Sequence, residues 1–323
     1  ASGRLHCDQD LSAVTGACLM VRRSLYEALG GLDEDAFKVA YNDVDFCLRV
    51  VQSGHLVVWT PHAVLMHVGS VSQHGLDPEA LEAKRERLAA EQDAMYARWL
   101  PQLANDPAYN PNLSLQGPGY ELDRLPRRRH ADRPLVLAHP CDPFGCGNYR
   151  VYKPFQALVR AGRIQGSVHP GWPDLPALAR VSPDVHLLQR PTKDARLAAA
   201  EGYRRHVRAF TVYELDDYLP GLPIGSAHRA EMPTDVRRMI RRGLGLADRF
   251  VVSTHALAET FAGWHADIRV VENRLPVDWW GKLVRNRRDG ARPRVGWAGG
   301  AGHGGDLALI ADVVRALAGE VDW

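Results

Sequence analysis

Two short stretches of this 323-residue chain carry carboxylates where they could do chemistry. In the first, Tyr41-Asn42-Asp43-Val44-Asp45-Phe46 opens a helical pattern. Asp43 and Asp45 are two apart, so on a helix they point in different directions and only one can face a given pocket. A carboxylate in a first helical turn is held ionised by the helix dipole and the free backbone N–H groups. That is the state a general base requires. Helix capping alone explains an aspartate here as well. In the second stretch, Glu214-Leu215-Asp216-Asp217 ends an apolar run that reads as a strand. Carboxylates at the carboxyl end of a parallel strand lie at the crevice where such sheets bind ligands. Asp216 and Asp217 could bind hydroxyls or a metal, or be solvated surface groups. A third stretch, Gly145-Cys146-Gly147-Asn148-Tyr149-Arg150, also follows an apolar strand. Glycines let backbone approach a ligand closely, and a helix start favours anions. Its sixth position is Arg150, and no acidic ribose-binding residue follows at the spacing a dinucleotide site needs, so no dinucleotide cofactor is expected.

The elements that must position these residues are legible in outline. Ser24 is expected to cap a short helix over 25–29, which Gly30-Gly31 stops. A helix over 42–53 carries Val44, Cys47, Leu48 and Val51 on one stripe and ends at Gly54. Strands are expected over 56–59 and 63–67. Asp77-Pro78 is a strong helix start, and that helix is expected to end near Trp99. Prolines 101, 107, 111, 118, 126 and 134 mark residues 101–133 as a linker. Its basic run, 127–130, reads as a solvated charge run. Beyond it, strands over 135–138, 185–188, 209–215, 250–253 and 268–272 alternate with helices over 152–161 and 234–246. Phe155, Leu158 and Val159 are expected to face inward from the first of these helices. This rhythm predicts an α/β fold with a doubly wound parallel sheet. A further strand–helix unit begins at Arg294-Val295-Gly296-Trp297-Ala298, with its helix over 307–317.

Composition excludes several classes. Hydrophobic residues make up 46% and charged residues 24%, so the chain is not disordered. Forty basic against 38 acidic residues give a net charge of +2, and no basic stripe carries interleaved aromatics. No nucleic-acid partner is expected. Five cysteines without a CxxC pair read as reduced thiols in a cytoplasmic protein. No apolar run reaches the length of a membrane span. The chain opens at Ala1 and its last strand–helix pattern runs on to Trp323, so it is expected to be a piece of a longer protein.

The order of motifs adds a resemblance. Val14-Thr15-Gly16-Ala17-Cys18, Gly30-Gly31-Leu32-Asp33, Asn42-Asp43-Val44-Asp45, Trp59-Thr60-Pro61, Met66-His67 and Asp106-Pro107-Ala108-Tyr109-Asn110 follow one another. Together they resemble the C-terminal half of family 2 glycosyltransferases of the GT-A fold, over about residues 10–115. The resemblance implies Asp43 as the base that deprotonates the acceptor, with Thr15, Gly16 and Asp45 on the acceptor side. It implies His67 as a ligand of a divalent metal, Mn²⁺ or Mg²⁺. Asn42 stands where Glu is usual, and His67-Val68-Gly69-Ser70 departs from the usual His-Glu-Ser. The resemblance places the family's Asp-x-Asp metal motif and nucleotide-binding strands upstream of Ala1, so this half is not expected to turn over substrate alone.

Residues 133–323 resemble the front of a family 4 glycosyltransferase of the GT-B fold. The residues that carry this are Gly145 to Arg150, Tyr213 to Asp217, Val271-Glu272-Asn273-Arg274-Leu275 and Gly296-Trp297-Ala298-Gly299-Gly300 with His303 and Asp306. This implies acceptor contacts at Gly145, Gly147, Asn148, Tyr149, Arg150, Asp216 and Asp217. It implies donor contacts at Gly299, Gly300, His303 and Asp306, and no metal in this half.

The expected domains are 1–100 (the GT-A part), 101–133 (linker), 134–288 (a GT-B N-terminal Rossmann-like domain) and 289–323 (the start of a donor-binding domain). The expected activity is hexosyl transfer from a nucleotide-sugar donor to a glycan or lipid-linked glycan acceptor in surface-polysaccharide synthesis. Peripheral association with the inner membrane face would follow from a lipid-linked acceptor. The rival expectation is a non-catalytic carbohydrate-binding or scaffold module.

Overall fold

A computed structural model describes residues 6–66, 77–117, 119–222, 229, 232–284, 292–299 and 304–323. The chain divides into two compact units, residues 1–124 with 173–181, and residues 125–172 with 182–323.

In the first unit, β1 (Gln9–Leu11) pairs antiparallel with β2 (Val57–Trp59). Between them lie α1 (Arg23–Ala28) and α2 (Asn42–Gln52). The N-cap of α1 is Arg22, without a side-chain cap, so the helix starts ahead of the expected Ser24 cap. Gly54 ends α2 at φ +83°, where only glycine is unstrained. Phe46, Cys47, Leu48 and Val50 of α2 are buried. Leu48 packs with Phe37, Met95 and Trp99, while Phe46, Cys47 and Val50 pack with Val57, Val14, Leu19 and Leu25. The helix is thus buried on two sides, where the sequence stripe suggested one. Residues 63–66 form no strand.

Asp77 caps α3 (Pro78–Ala104), its Oδ1 accepting from Ala80 N at 2.7 Å. The helix runs on through Pro101 rather than stopping near Trp99. A proline there costs a backbone hydrogen bond, and the burial of Trp99, Leu100 and Ala104 offsets it. Glu91 of α3 is buried and accepts from Val39 N and Ala40 N at 3.2 and 2.7 Å, which fixes the approach to α2.

The second unit is a Rossmann-like α/β fold. Its six parallel strands stand in the order β4-β3-β5-β6-β7-β8. They are β3 (Leu135–His139), β4 (Gln165–Val168), β5 (Val185–Gln189), β6 (Phe210–Leu215), β7 (Arg249–Val252) and β8 (Ile268–Val270). Apolar strands such as Leu135-Val136-Leu137-Ala138 are buried on both faces, as a covered parallel sheet demands. β4 escapes sequence reading because Gln165-Gly166-Ser167-Val168 has no apolar signature. Gly166 admits it: a Cβ there would stand 1.9 Å from Val136 O, and φ is +132°.

Helix α4 (Lys153–Arg160) follows a π-helical turn, Asn148–Tyr152. The expectation for its inward face is corrected, since Leu158 and Val159 are 44% and 40% exposed. Helices without a reading in the sequence include α5 (Leu175–Val181), which packs on α3 in the first unit, and α6 (Asp194–His206). Helix α7 (Val236–Leu244), capped by Asp235, buries Val236, Ile240 and Leu244 against Tyr213, Phe250 and Phe261. Arg294 forms one parallel bridge with Asp322 in place of the expected strand, around α8 (Gly304–Leu309) and α9 (Ala311–Ala316).

Candidate functional site

In the first unit, helix geometry separates the two aspartates. Asp43 is part-exposed; its Oδ2 accepts from Gly16 N at 2.7 Å and its Oδ1 from Val44 N at 2.9 Å. Gly16 begins a 3-10 turn (Gly16–Cys18) whose N-cap Thr15 accepts from Ala17 N through Oγ1. A Cβ at Gly16 would meet Asp43 Cβ at 3.2 Å, so glycine permits the close contact. Thr15-Gly16 and Asp43, far apart in sequence, therefore form one surface.

Asp45 points the other way and is wholly buried. Its Oδ2 accepts from Arg49 Nε, and its Oδ1 from Arg98 Nη1 and Trp99 Nε1, each at 2.8 Å. Arg49 also donates to Leu29 O and Gly31 O, at 2.6 and 2.8 Å. The expected acceptor contact at Asp45 is corrected on this ground: its oxygens are filled by donors that tie α2 to α3 and to the Gly30-Gly31 turn. His67 lies outside the described residues.

In the second unit the chain runs from β3 outward to β4, then returns to β5 on the other side of β3. The crevice beyond the carboxyl ends of β3 and β5 is the topological switch point, where open α/β sheets bind ligands. Three strand ends place charge around it. Cys141 and Asp142 follow β3, Arg190 follows β5, and Glu214, Asp216 and Asp217 close β6. Arg190 lies 3.9 Å from Asp142 and 3.6 Å from both Asp216 and Asp217. Burial alone would make the Arg190 guanidinium easier to deprotonate, but the carboxylates of Asp216 and Asp217 hold it charged. The backbone is tied as well: Arg190 N donates to Glu214 O at 2.8 Å and Ser253 Oγ to Asp216 O at 2.7 Å.

The glycine stretch is not an open phosphate loop. Gly145–Gly147 is a helical turn, and a Cβ on Gly147 would stand 1.8 Å from Asp142 O. Gly147 is thus required by close backbone packing within the βα turn. That turn brings the Cys146 thiol to Asp216, which it hydrogen-bonds; burial, then Asp216, push the thiol up to about 12. Asn148 and Tyr149 are half-buried in the π-helical turn.

Arg150 turns inward and is buried. Its Nε donates to Glu214 Oε1 at 2.6 Å, and its Nη1 to Val271 O and to Asn273 Oδ1. It therefore joins β6 to the segment after β8 rather than facing a ligand. Burial raises Glu214 to about 7 despite Arg150 beside it. Sequence reading missed Arg190 and Cys146 as site groups; the one signal for Arg190 was a charged residue between a strand and Pro191.

Of the expected donor contacts, Gly300 and His303 lie outside the described residues. Gly299 packs so near the Trp297 ring that a Cβ would stand 2.4 Å from it, and Asp306 is in the first turn of α8. No helix among the described residues is long and apolar enough to cross a membrane.

No protein-family model matches this chain, and no solved structure matches it. Over 114 residues, 35% of the chain, it is 46% identical to an uncharacterised protein, y4gI, of Sinorhizobium fredii, covering 12% of that protein. Over 117 residues, 35% of the chain, it is 37% identical to the O-antigen biosynthesis protein RfbC of Myxococcus xanthus, covering 8% of it. The chain thus matches a small fraction of the length of both relatives, and over a third of its own length it is similar to a protein of O-antigen biosynthesis.

Proposed function

We propose that this chain is part of a glycosyltransferase of surface-polysaccharide synthesis, transferring a sugar from a nucleotide-sugar donor to a glycan or lipid-linked glycan. One observation carries the reading: the 37% identity with the O-antigen biosynthesis protein over 117 residues. The Asp43 surface and the switch-point crevice support it, the first as part of a GT-A site and the second as the acceptor side of a GT-B site. Asp43 takes the proton of the acceptor hydroxyl. The oxygen lone pair then attacks the anomeric carbon, and the bond to the nucleoside diphosphate breaks on the opposite face, with inversion. Asp43 stands in the first turn of α2, where the helix dipole favours negative charge. His67, the expected metal ligand, lies outside the described residues, and no step of this transfer runs through a metal.

The test is sugar transfer from a donor panel, with Mn²⁺ or Mg²⁺ present, by a protein containing this chain. Asp43→Asn should lower the turnover number about 10²- to 10⁴-fold, the usual contribution of a general base. Unchanged transfer overturns Asp43 as base. A second reading, a carbohydrate-binding scaffold, is favoured by the two N–H groups that already occupy the Asp43 oxygens. It predicts glycan binding without transfer for wild type and Asp43→Asn alike.

A further inference from the structure

Beyond β8 the chain turns its apolar side chains outward. Val277, Trp279, Trp280, Leu283 and Val284 are five of the eight residues from 277 to 284, and all five are exposed. Trp279 is 57% exposed and Trp280 40%, although a tryptophan ring is among the largest apolar surfaces a fold has to bury. The backbone here is ordered by its own hydrogen bonds. Trp280 N donates to Pro276 O at 2.9 Å, closing the helical turn Val277–Trp280, and Leu283 N donates to Trp280 O at 3.2 Å. The turn is anchored to α4 within the second unit. Arg160 Nη1 meets Asp278 Oδ2 at 3.2 Å, and Lys153 Nζ lies 5.7 Å from the centre of the Trp279 ring.

Charge decides what such a face suits. Residues 143–173, which include α4, contain no Asp or Glu. Residues 281–288 carry Lys282, Arg285, Arg287 and Arg288 and no acid, the three arginines lying outside the described residues. Asp278 is the single carboxylate in the sequence from 277 to 284, and Arg160 pairs with it. Exposed tryptophan beside lysine and arginine is the composition of a lipid interface: the ring sits at head-group level and the cations meet anionic lipids. A second copy of the chain suits this face less, because a two-fold contact would set a cationic surface against itself.

We infer that the turn Val277–Trp280 and Lys282, with Lys153 and Arg160 of α4, dock the second unit on an anionic lipid surface. Trp279 and Trp280 enter the head-group layer, and apolar area that is exposed in the free chain leaves water. Docking of this kind needs no helix long enough to cross the bilayer. The inference rests on this face and not on the transferase reading.

The test is co-sedimentation of the whole chain with vesicles of phosphatidylglycerol and phosphatidylcholine, beside vesicles of phosphatidylcholine alone. Wild type should bind the anionic vesicles about 10-fold tighter than the neutral ones, because several cations face the surface. Salt at about 1 M, which shortens the screening length to roughly 3 Å, should remove most of that difference. Trp279→Ala should weaken binding about 10-fold, and Lys282→Glu about 5-fold. Both positions are exposed, and an unchanged urea midpoint shows that each variant is folded. No binding of wild type to anionic vesicles, or equal binding by wild type and Trp279→Ala, overturns the inference. So does a concentration-dependent dimer that Trp279→Ala abolishes, which assigns the face to a second copy. None of these readouts depends on sugar transfer.

Discussion

Each unit carries a carboxylate cluster, and the two clusters differ in how far their oxygens are satisfied. In the first unit, Asp45 has three charged or polar donors for two oxygens and no exposure. In the second, Glu214 Oε2 and Asp216 Oδ1 are buried with no hydrogen-bond donor among the described residues. A saturated buried carboxylate holds a fold together. An unsaturated one keeps capacity for a ligand, or for a proton, and raises the energy of the folded state until it finds one. Burial alone does not distinguish the two; the donor count does.

The comparison breaks first at Asp45. Asp45→Ala strands Arg49, Arg98 and Trp99 Nε1 and should cost about 3–5 kcal/mol, read from the urea midpoint. A cost below about 1 kcal/mol would mean that the network is not holding α2 to α3. Next is Arg150→Met, which leaves Glu214 without its cation and should cost about 3 kcal/mol. Its signature is that the cost grows from pH 6 to pH 8, because a protonated Glu214 needs no cation. Gly147→Ala forces a Cβ onto Asp142 O and should cost about 1–3 kcal/mol, read from the urea midpoint.

The pH dependence of the second unit sharpens the contrast further. Glu214, raised by burial to about 7, contributes stability that is present below its ordinary 4.5 and lost as pH rises through about 7. His139, lowered by burial to about 4, works in the opposite sense. Its contribution is present above its ordinary 6.5 and lost as pH falls toward 4. His186, packed edge-on to it with ring centroids 4.9 Å apart, is lowered in the same way by burial and then by His139. Two histidines oppose one glutamate, so the unit should lose stability between pH 6.5 and 4, and His139→Phe should flatten that loss. A wild-type urea midpoint that rises over this interval would show that Glu214 dominates. The smallest effect is the stability of Asp43→Asn, within about 1 kcal/mol, because asparagine still accepts from Gly16 N.

Much of this was legible in the chain. The apolar runs at 135–138 and 210–215 announced parallel strands, and Asp77-Pro78 announced a helix start. The rule that residues two apart on a helix diverge already implied that Asp43 and Asp45 would have different surroundings. It could not say which was buried, since Arg98 and Trp99, the donors that decide it, lie more than 50 residues away. β4 was invisible because its fit rests on a glycine at an edge rather than on apolar side chains. Leu158 and Val159 matched an inward stripe, yet α4 leaves them exposed.

The sequence by itself determined the α/β class, the alternation of strands and helices, and the residue types able to act as acids and bases. These follow from local periodicity and from side-chain chemistry, which need no knowledge of distant partners. Only the tertiary structure decided which carboxylates are spent on holding the fold and which keep an oxygen free. That depends on donors from α3, β5 and the turn after β3, brought together by a strand order in which β3 stands between β4 and β5. Hydrogen-bond saturation is a property of neighbours in space, and sequence spacing does not carry it.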